Sequence, residues 1–288
     1  MTRMTSATTV IVLAVWLSAC GGEETVPQAT PTNPPPATPT PTPTEPAARI
    51  LSAFFGLDNA IPAAAGALCP GAVGEDGMPV TFSHRVAVMT PEANAFRVTT
   101  RSGATHSPRC ATLLPATAPS ERHTLLLMGE LGDDPADPPL TLDVVDHVPL
   151  EGGGDARGLS SPVTPLAAGP ALALAIRYAP ADLSGSSCPS GQTQQIVQIT
   201  WNGGVTAVGG GELGDAERLR MHVTLASGGG TREVTPFALA DLGDRDNYVQ
   251  LCLDDGAPPV SVRVEAGTCV DPHGEPNDET AVAVTPNL

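Results

Sequence analysis

Short apolar runs, each ended by glycine, proline or another turn residue, constrain the fold of this chain more than any other feature. In the first half of the chain they lie at residues 80–82, 85–88, 95–99, 124–128 and 140–145. The segments between them carry turn residues such as Ser102-Gly103 and lack the amphipathic period of a helix. Short strands at this spacing predict a β-sandwich.

The second half of the chain repeats this pattern with seven candidate strands. They lie near residues 172–178, 195–201, 219–225, 233–240, 248–253, 260–264 and 281–284. In the second of these, Val197, Ile199 and Trp201 fall on one face, because side chains alternate along a strand. We expect that face to be buried and the whole body to be all-β.

The first twenty residues have the pattern of an export signal. Arg3 is a single positive charge, residues 10–17 are an uninterrupted apolar run, and two small residues precede Cys20. The run is too short to span a bilayer, which needs about 20 apolar residues. The quartet Leu17-Ser18-Ala19-Cys20 resembles the lipobox of bacterial lipoproteins. That resemblance implies a lipid-anchored Cys20, and a secreted protein without an anchor is the alternative.

Composition divides the chain into segments. Proline, threonine and alanine dominate residues 27–46, which favours an extended polyproline II stalk rising about 3.1 Å per residue. Gly152-Gly153-Gly154 marks a boundary inside the body. The predicted segments are a signal peptide at 1–19, a stalk at 20–48, a first sandwich at 49–150, a linker at 151–165 and a second sandwich at 166–288.

The charge of the mature chain limits its partners. The chain has 31 acidic and 14 basic residues, and removal of the signal peptide takes away one basic residue, Arg3. This balance excludes nucleic acid as a partner, because that surface needs a basic face. We therefore expect attachment to the membrane through Cys20, at the periplasm or the cell surface. The remaining partner is an envelope protein or a glycan of unknown identity.

Five cysteines follow Cys20, which predicts two disulfides and one free thiol in an oxidising compartment. Cys69 and Cys110 lie in the first sandwich and are expected to pair. For the others, a hairpin near residues 255–259 would place residues 260–262 opposite Cys252 and leave Cys269 more than about 20 Å away. This favours Cys188–Cys252 with Cys269 free, unless a sharp turn at Gly267 returns Cys269.

Two segments resemble known β-sandwich families. The stretches 80–86 and 94–103, with an "FS" strand and an "F-x-V" strand, resemble bacterial immunoglobulin-like domains of exported surface proteins. Such modules are spacers or binding platforms. Leu242 and Tyr248 have the spacing of the tyrosine corner and resemble fibronectin type III domains, although Asp244 replaces the usual proline. These resemblances imply an immunoglobulin-like first sandwich and a fibronectin-like second one.

No catalytic motif is visible in the sequence: it has no nucleophile elbow, phosphate loop or zinc-protease signature. We therefore predict a non-enzymatic envelope lipoprotein that displays its sandwiches for binding or envelope structure. The alternative is an extracytoplasmic hydrolase with a dispersed active site, for example Cys188 with His147 or His222 as base.

Two acidic loops are the only candidates for a cofactor, which would be calcium. Calcium prefers six to eight oxygen ligands from flexible loops. The candidate ligands are Asp244, Asp246, Asp271, Glu275, Asn277 and Asp278. The other interpretation of both loops is solvated surface charge without a bound ion.

Overall fold

β-Strands make up nearly all the regular structure, as the sequence predicted. The computed structural model describes residues 47–116, 118–243 and 246–286. The predicted signal peptide, Cys20, nearly all of the stalk and Asp244 lie outside the described residues.

Eighteen strands are present in the described part of the chain. They are β1 (Ile50–Ala53), β2 (Asp76–Phe82), β3 (Phe96–Thr100), β4 (Thr105–His106), β5 (Cys110–Thr112), β6 (Thr124–Gly129), β7 (Pro139–Val144), β8 (Ser160–Pro162), β9 (Leu172–Tyr178), β10 (Gln195–Trp201), β11 (Thr206–Ala207), β12 (Met221–Ser227), β13 (Gly230–Val234), β14 (Ala238–Ala240), β15 (Tyr248–Leu253), β16 (Pro259–Val264), β17 (Cys269–Val270) and β18 (Thr280–Pro286).

Helical structure in the described residues is brief. The one α-helix there is α1 (Asp215–Arg218), and the short 3-10 segments are Ala63–Ala67, Ala93–Ala95, Pro119–Glu121, Glu151–Gly153 and Leu166–Ala168. Within these limits, no helix has the length and apolar character needed to cross a membrane.

Strands β1 to β8 form a sandwich of two four-stranded antiparallel sheets. One sheet has the order β1-β2-β6-β5 and the other the order β4-β3-β7-β8. Their facing sides share one apolar core, in which Phe82 of the first sheet lies with Phe96 and Val98 of the second. In β3, exposed Arg97 separates the two buried side chains, which is the alternation expected of a strand with one wet face.

The second sandwich is one eight-stranded sheet that curls over its own core. Its strand order is β13-β12-β16-β18-β9-β10-β15-β14, and β18 and β9 are the parallel pair that joins its two layers. The predicted burial of Val197, Ile199 and Trp201 is confirmed, since all three lie in the core with no exposed surface. Val223 and Val262, from the opposite layer, pack in the same core.

Strand β10 is buried on both faces. One face contributes to the core of the second sandwich. On the other face, Ile196 packs with Ile176 and Tyr178 in a cluster that Leu51 of the first sandwich contacts. Residues 46–288 form one compact unit, so the two sandwiches share a buried junction.

Three local predictions are wrong. The single strand predicted near residues 233–240 is divided into β13 and β14. Residues 85–88 form no strand, and Val86 makes a single isolated bridge to Leu150. The hairpin predicted near residues 255–259 is also absent: β15 pairs with β10 and β14, whereas β16 pairs with β12 and β18. Both edges of β15 are already paired, so the chain crosses to the opposite layer after Leu253.

The structure contains the two disulfides that the sequence predicted. Cys69–Cys110 and Cys188–Cys252 have Cα–Cα distances of 5.9 and 5.7 Å. Cys269 is buried and free. The predicted pairing is confirmed, although the hairpin from which it was argued is absent. Cys269 is kept away from Cys252 because it lies in the separate two-stranded sheet of β11 and β17. Two disulfides are typical of a protein that folds outside the cytoplasm.

Candidate functional site

A buried polar network joins the two sandwiches. The hydroxyl of Tyr248 in β15 donates to the backbone carbonyl of Glu121. Because its one proton is used there, the same oxygen accepts the hydroxyl proton of Thr124, 3.0 Å away. The oxygen of Thr124 in turn accepts from the Asn247 amide at 3.2 Å and from the Thr81 hydroxyl at 3.3 Å. All these side chains are buried, so the network sets the register of the junction.

An apolar contact beside this network also depends on a close approach between the sandwiches. The ring of Phe54 has no exposed surface. A Cβ atom placed on Gly203 would lie 2.8 Å from Cδ1 of that ring, closer than carbon atoms pack. Gly203 is therefore required by the junction, since the first sandwich approaches its backbone directly.

A groove of about 200 Å³ opens at this junction. Its walls are mostly apolar and come from both sandwiches. The lining includes Phe54, Leu57, Pro79, Leu113, Leu126, Gly203, Gly204, Asp246, Asn247 and Pro272. A second cavity of about 300 Å³ shares Gly204, Asp246 and Pro272 with the first, so these residues form the wall between them.

Burial shifts the protonation of two groups near the junction. It raises the pKa of the Tyr248 hydroxyl well above its usual value, which keeps the hydroxyl neutral and able to donate. It also lowers the pKa of His123 to about 4, so this imidazole is neutral at pH 7. Its Nδ1 lies 3.1 Å from the carbonyl of Phe82 and must carry the proton, because a carbonyl only accepts.

The predicted calcium ligands near the C-terminus are only partly brought together. Asp271 and Glu275 lie side by side, and burial, followed by the adjacent side chain of Glu275, raises the pKa of Asp271. Asn277 is a correction to the predicted set: its side-chain oxygen accepts the N–H groups of Thr268 and Cys269 at 2.8 and 2.9 Å. Those bonds use both lone pairs that a cation would need.

The other predicted ligands lie elsewhere on the surface. The side chain of Asp278 is exposed, and only its backbone carbonyl binds Asn277. Asp246 lies in the wall of the groove, where its carboxylate accepts the backbone N–H of Tyr248 at 2.7 Å. Within the described residues, the ligand set predicted for calcium is thus divided between a junction wall and a separate loop.

The residues considered for a hydrolase site are already engaged in other interactions. The sulfur of Cys188 is bonded to Cys252 and is not a nucleophile. His147 lies 3.0 Å from Asp155, and His222 lies between Glu233 and Glu265. Each histidine has its own carboxylate partners, and neither is placed against Cys188 by any contact among the described residues.

Sequence reasoning missed the groove and one imidazole. The Gly203-Gly204 pair directly after Trp201-Asn202 was the available signal for a close backbone approach. His273 lies between the predicted ligands Asp271 and Glu275 but was not part of the predicted set, which contained oxygen ligands only. Comparison with known protein families found no family model that matches this chain, and comparison with curated proteins found no similar sequence.

Proposed function

We propose that this protein is a non-enzymatic, lipid-anchored envelope protein that uses the groove between its two β-sandwiches to bind a partner. The observation that carries the proposal is the apolar groove, whose two walls come from different sandwiches held together by a buried polar network. A wall shared in this way is set in place before the partner arrives, which lowers the entropic cost of binding.

The size of the groove favours a macromolecular partner. Pockets that enclose a whole small molecule usually measure about 300–1,000 Å³, whereas this groove measures about 200 Å³. A cavity of about 150 Å³ holds one benzene ring. The groove therefore fits a single aromatic or branched aliphatic side chain of an envelope protein, as in interfaces where one buried anchor carries most of the affinity.

The remaining features support display outside the cytoplasm. The two disulfides, the signal-like N-terminus and the lipobox-like quartet all favour export and anchoring at Cys20. The likeness of the first sandwich to bacterial immunoglobulin-like domains favours a binding platform or spacer over an enzyme.

A side chain placed in the groove tests the binding proposal. Gly204 lines both cavities, and a Cβ there meets nothing closer than Pro272 at 4.0 Å. Gly204→Leu should therefore fill the groove without strain. Gly230→Leu is the matched control, because Gly230 lies on exposed β13 with its nearest atom 3.9 Å away.

The assay is retention of solubilised envelope proteins on the immobilised mature protein. We expect that immobilised Gly204→Leu no longer retains the partner, whereas immobilised Gly230→Leu retains as much of it as the wild type does. Equal retention by all three proteins would contradict the proposed groove. Anchoring is tested separately: Cys20→Ser should abolish labelling by a fatty-acid probe, and undiminished labelling would contradict the lipid anchor.

A further inference from the structure

The loop after β17 gathers one imidazole and two carboxyl groups. Asp271, His273 and Glu275 each place a ligand atom within 4.8 Å of the others. The loop closes because the backbone N–H of Asp271 donates to the carbonyl of Glu275 at 3.1 Å, and Gly274 takes the positive φ of 91° that the bend requires. The three side chains meet over this turn.

Neighbouring segments hold the loop in place. The Asn277 side chain binds the backbone of Thr268 and Cys269 on one side, and donates to the carbonyl of Glu265 at 2.8 Å. On the other side, a Cβ on Gly169 would lie 2.5 Å from the carbonyl oxygen of Pro276, so that backbone packs directly on the loop. The ligand atoms are therefore carried by a supported turn.

The two carboxyl groups are incompletely satisfied. Asp271 is only 2 % exposed, and its Oδ1 accepts the backbone N–H groups of His273 and Glu275 at 2.9 and 3.0 Å. Its other oxygen, Oδ2, is buried without a hydrogen-bond partner, and so is Oε2 of Glu275. Burying two carboxylate oxygens together is costly unless a positive charge or a shared proton lies between them.

The position of His273 favours a bound cation over a proton shared between the two carboxyl groups. A shared proton needs only the two carboxyl groups. The imidazole of His273, within the same 4.8 Å, adds a nitrogen ligand, and because His273 is exposed, one side of the group is open to solvent. Imidazole nitrogen and carboxylate oxygen are ligand types that zinc and related divalent metals take, and an open position is typical of such sites.

We propose that Asp271, His273 and Glu275 form a binding site for a divalent transition metal of the zinc type. Calcium fits less well, since it needs six to eight oxygens and this loop supplies two carboxylates and an imidazole. Zinc ligands bond at about 2.0–2.2 Å, which places tetrahedral ligand atoms about 3.4 Å apart. Since the ligand atoms are at most 4.8 Å apart, each pair needs to approach by about 1.4 Å at most.

The experiment titrates Zn²⁺ into the mature, detergent-solubilised protein, prepared without a histidine tag, in competition with a chromophoric zinc indicator. His273→Ala removes the exposed ligand without disturbing the buried turn. Asp271→Asn keeps the acceptor oxygen for the two backbone N–H groups and removes the charge. His106→Ala, a histidine on the short strand β4, is the matched control.

We expect one Zn²⁺ per chain, with affinity at least about tenfold weaker in His273→Ala and Asp271→Asn and unchanged in His106→Ala. Zn²⁺ should also raise the melting temperature of the wild type by mass action, and 1 mM Ca²⁺ should not displace it. Absence of saturable binding, or equal binding by wild type and His273→Ala, would overturn the site. So would displacement by Ca²⁺, which would indicate an oxygen-only calcium site. A wild type that binds no Zn²⁺, together with a higher melting temperature in Asp271→Asn than in the wild type, would overturn it in favour of a shared proton.

Discussion

Removing one hydroxyl group at the junction should measure how strongly the two sandwiches are coupled. Tyr248→Phe keeps the ring and deletes the oxygen that donates to Glu121 and accepts from Thr124. The Glu121 carbonyl then loses its bond from Tyr248 in a site that water does not enter, since Glu121 and Tyr248 are 4 % and 2 % exposed. The variant loses two hydrogen bonds, the one to Glu121 and the one from Thr124, and each costs about 0.5–1.5 kcal/mol. We expect a loss of about 1–3 kcal/mol in the free energy of unfolding.

The assay is equilibrium urea unfolding followed by the fluorescence of Trp201, the only tryptophan after Cys20, whose backbone carbonyl accepts from Asn247. Tyr178→Phe is the matched control. Its hydroxyl accepts from Arg85 at the longer distance of 3.3 Å, and Arg85 also lies 3.6 Å from Glu151. The control should lose less than Tyr248→Phe, because Arg85 keeps the carboxylate of Glu151 as a partner when the Tyr178 hydroxyl is removed.

A double-mutant cycle with Thr124→Val isolates the pair. We expect a coupling energy of about 1 kcal/mol between positions 124 and 248, because the two hydroxyl groups bind each other. A loss below about 0.5 kcal/mol in Tyr248→Phe, or a loss no larger than in Tyr178→Phe, would refute the view that this hydroxyl holds the junction.

Three further predictions concern the core, the pH dependence and the disulfides. Trp201→Ala should cost about 3–5 kcal/mol in urea unfolding followed by circular dichroism, as a large deletion from a buried core, and a cost below about 1 kcal/mol would contradict its burial. His123, whose pKa falls from 6.5 to about 4 in the folded protein, takes up a proton on unfolding, so stability should decline as pH drops from about 6.5 to 4, by up to about 3 kcal/mol. His123→Asn should remove that part of the slope, and an unchanged pH profile would argue against a buried neutral imidazole. Replacing both Cys188 and Cys252 by serine opens a loop with a sequence separation of 64, which should cost about 4 kcal/mol; a melting temperature equal to that of the wild type would contradict this.

Sequence alone was sufficient for the positions of the main strands and for the inward face of β10. The strands predicted at residues 172–178, 195–201 and 248–253 have the bounds observed for β9, β10 and β15. These segments are strongly apolar and bounded by turn residues, so their local pattern contains the information. The same pattern determines which side chains of a strand face inward, and Trp201 is buried as a result.

Only the tertiary structure decided which strands pair and where the candidate sites lie. The alternation of β16 is compatible with pairing to β15, yet β16 pairs with β12 and β18 in the opposite layer. The bond from Tyr248 to Glu121 joins residues 127 positions apart, and the groove exists only where the two sandwiches meet. The burial of the Asp271 carboxyl group also depends on its neighbours, not on the acidic residues around it in the chain. A strand's sequence specifies the face it buries through a local period of two residues, whereas its partners are chosen by the packing of the whole molecule.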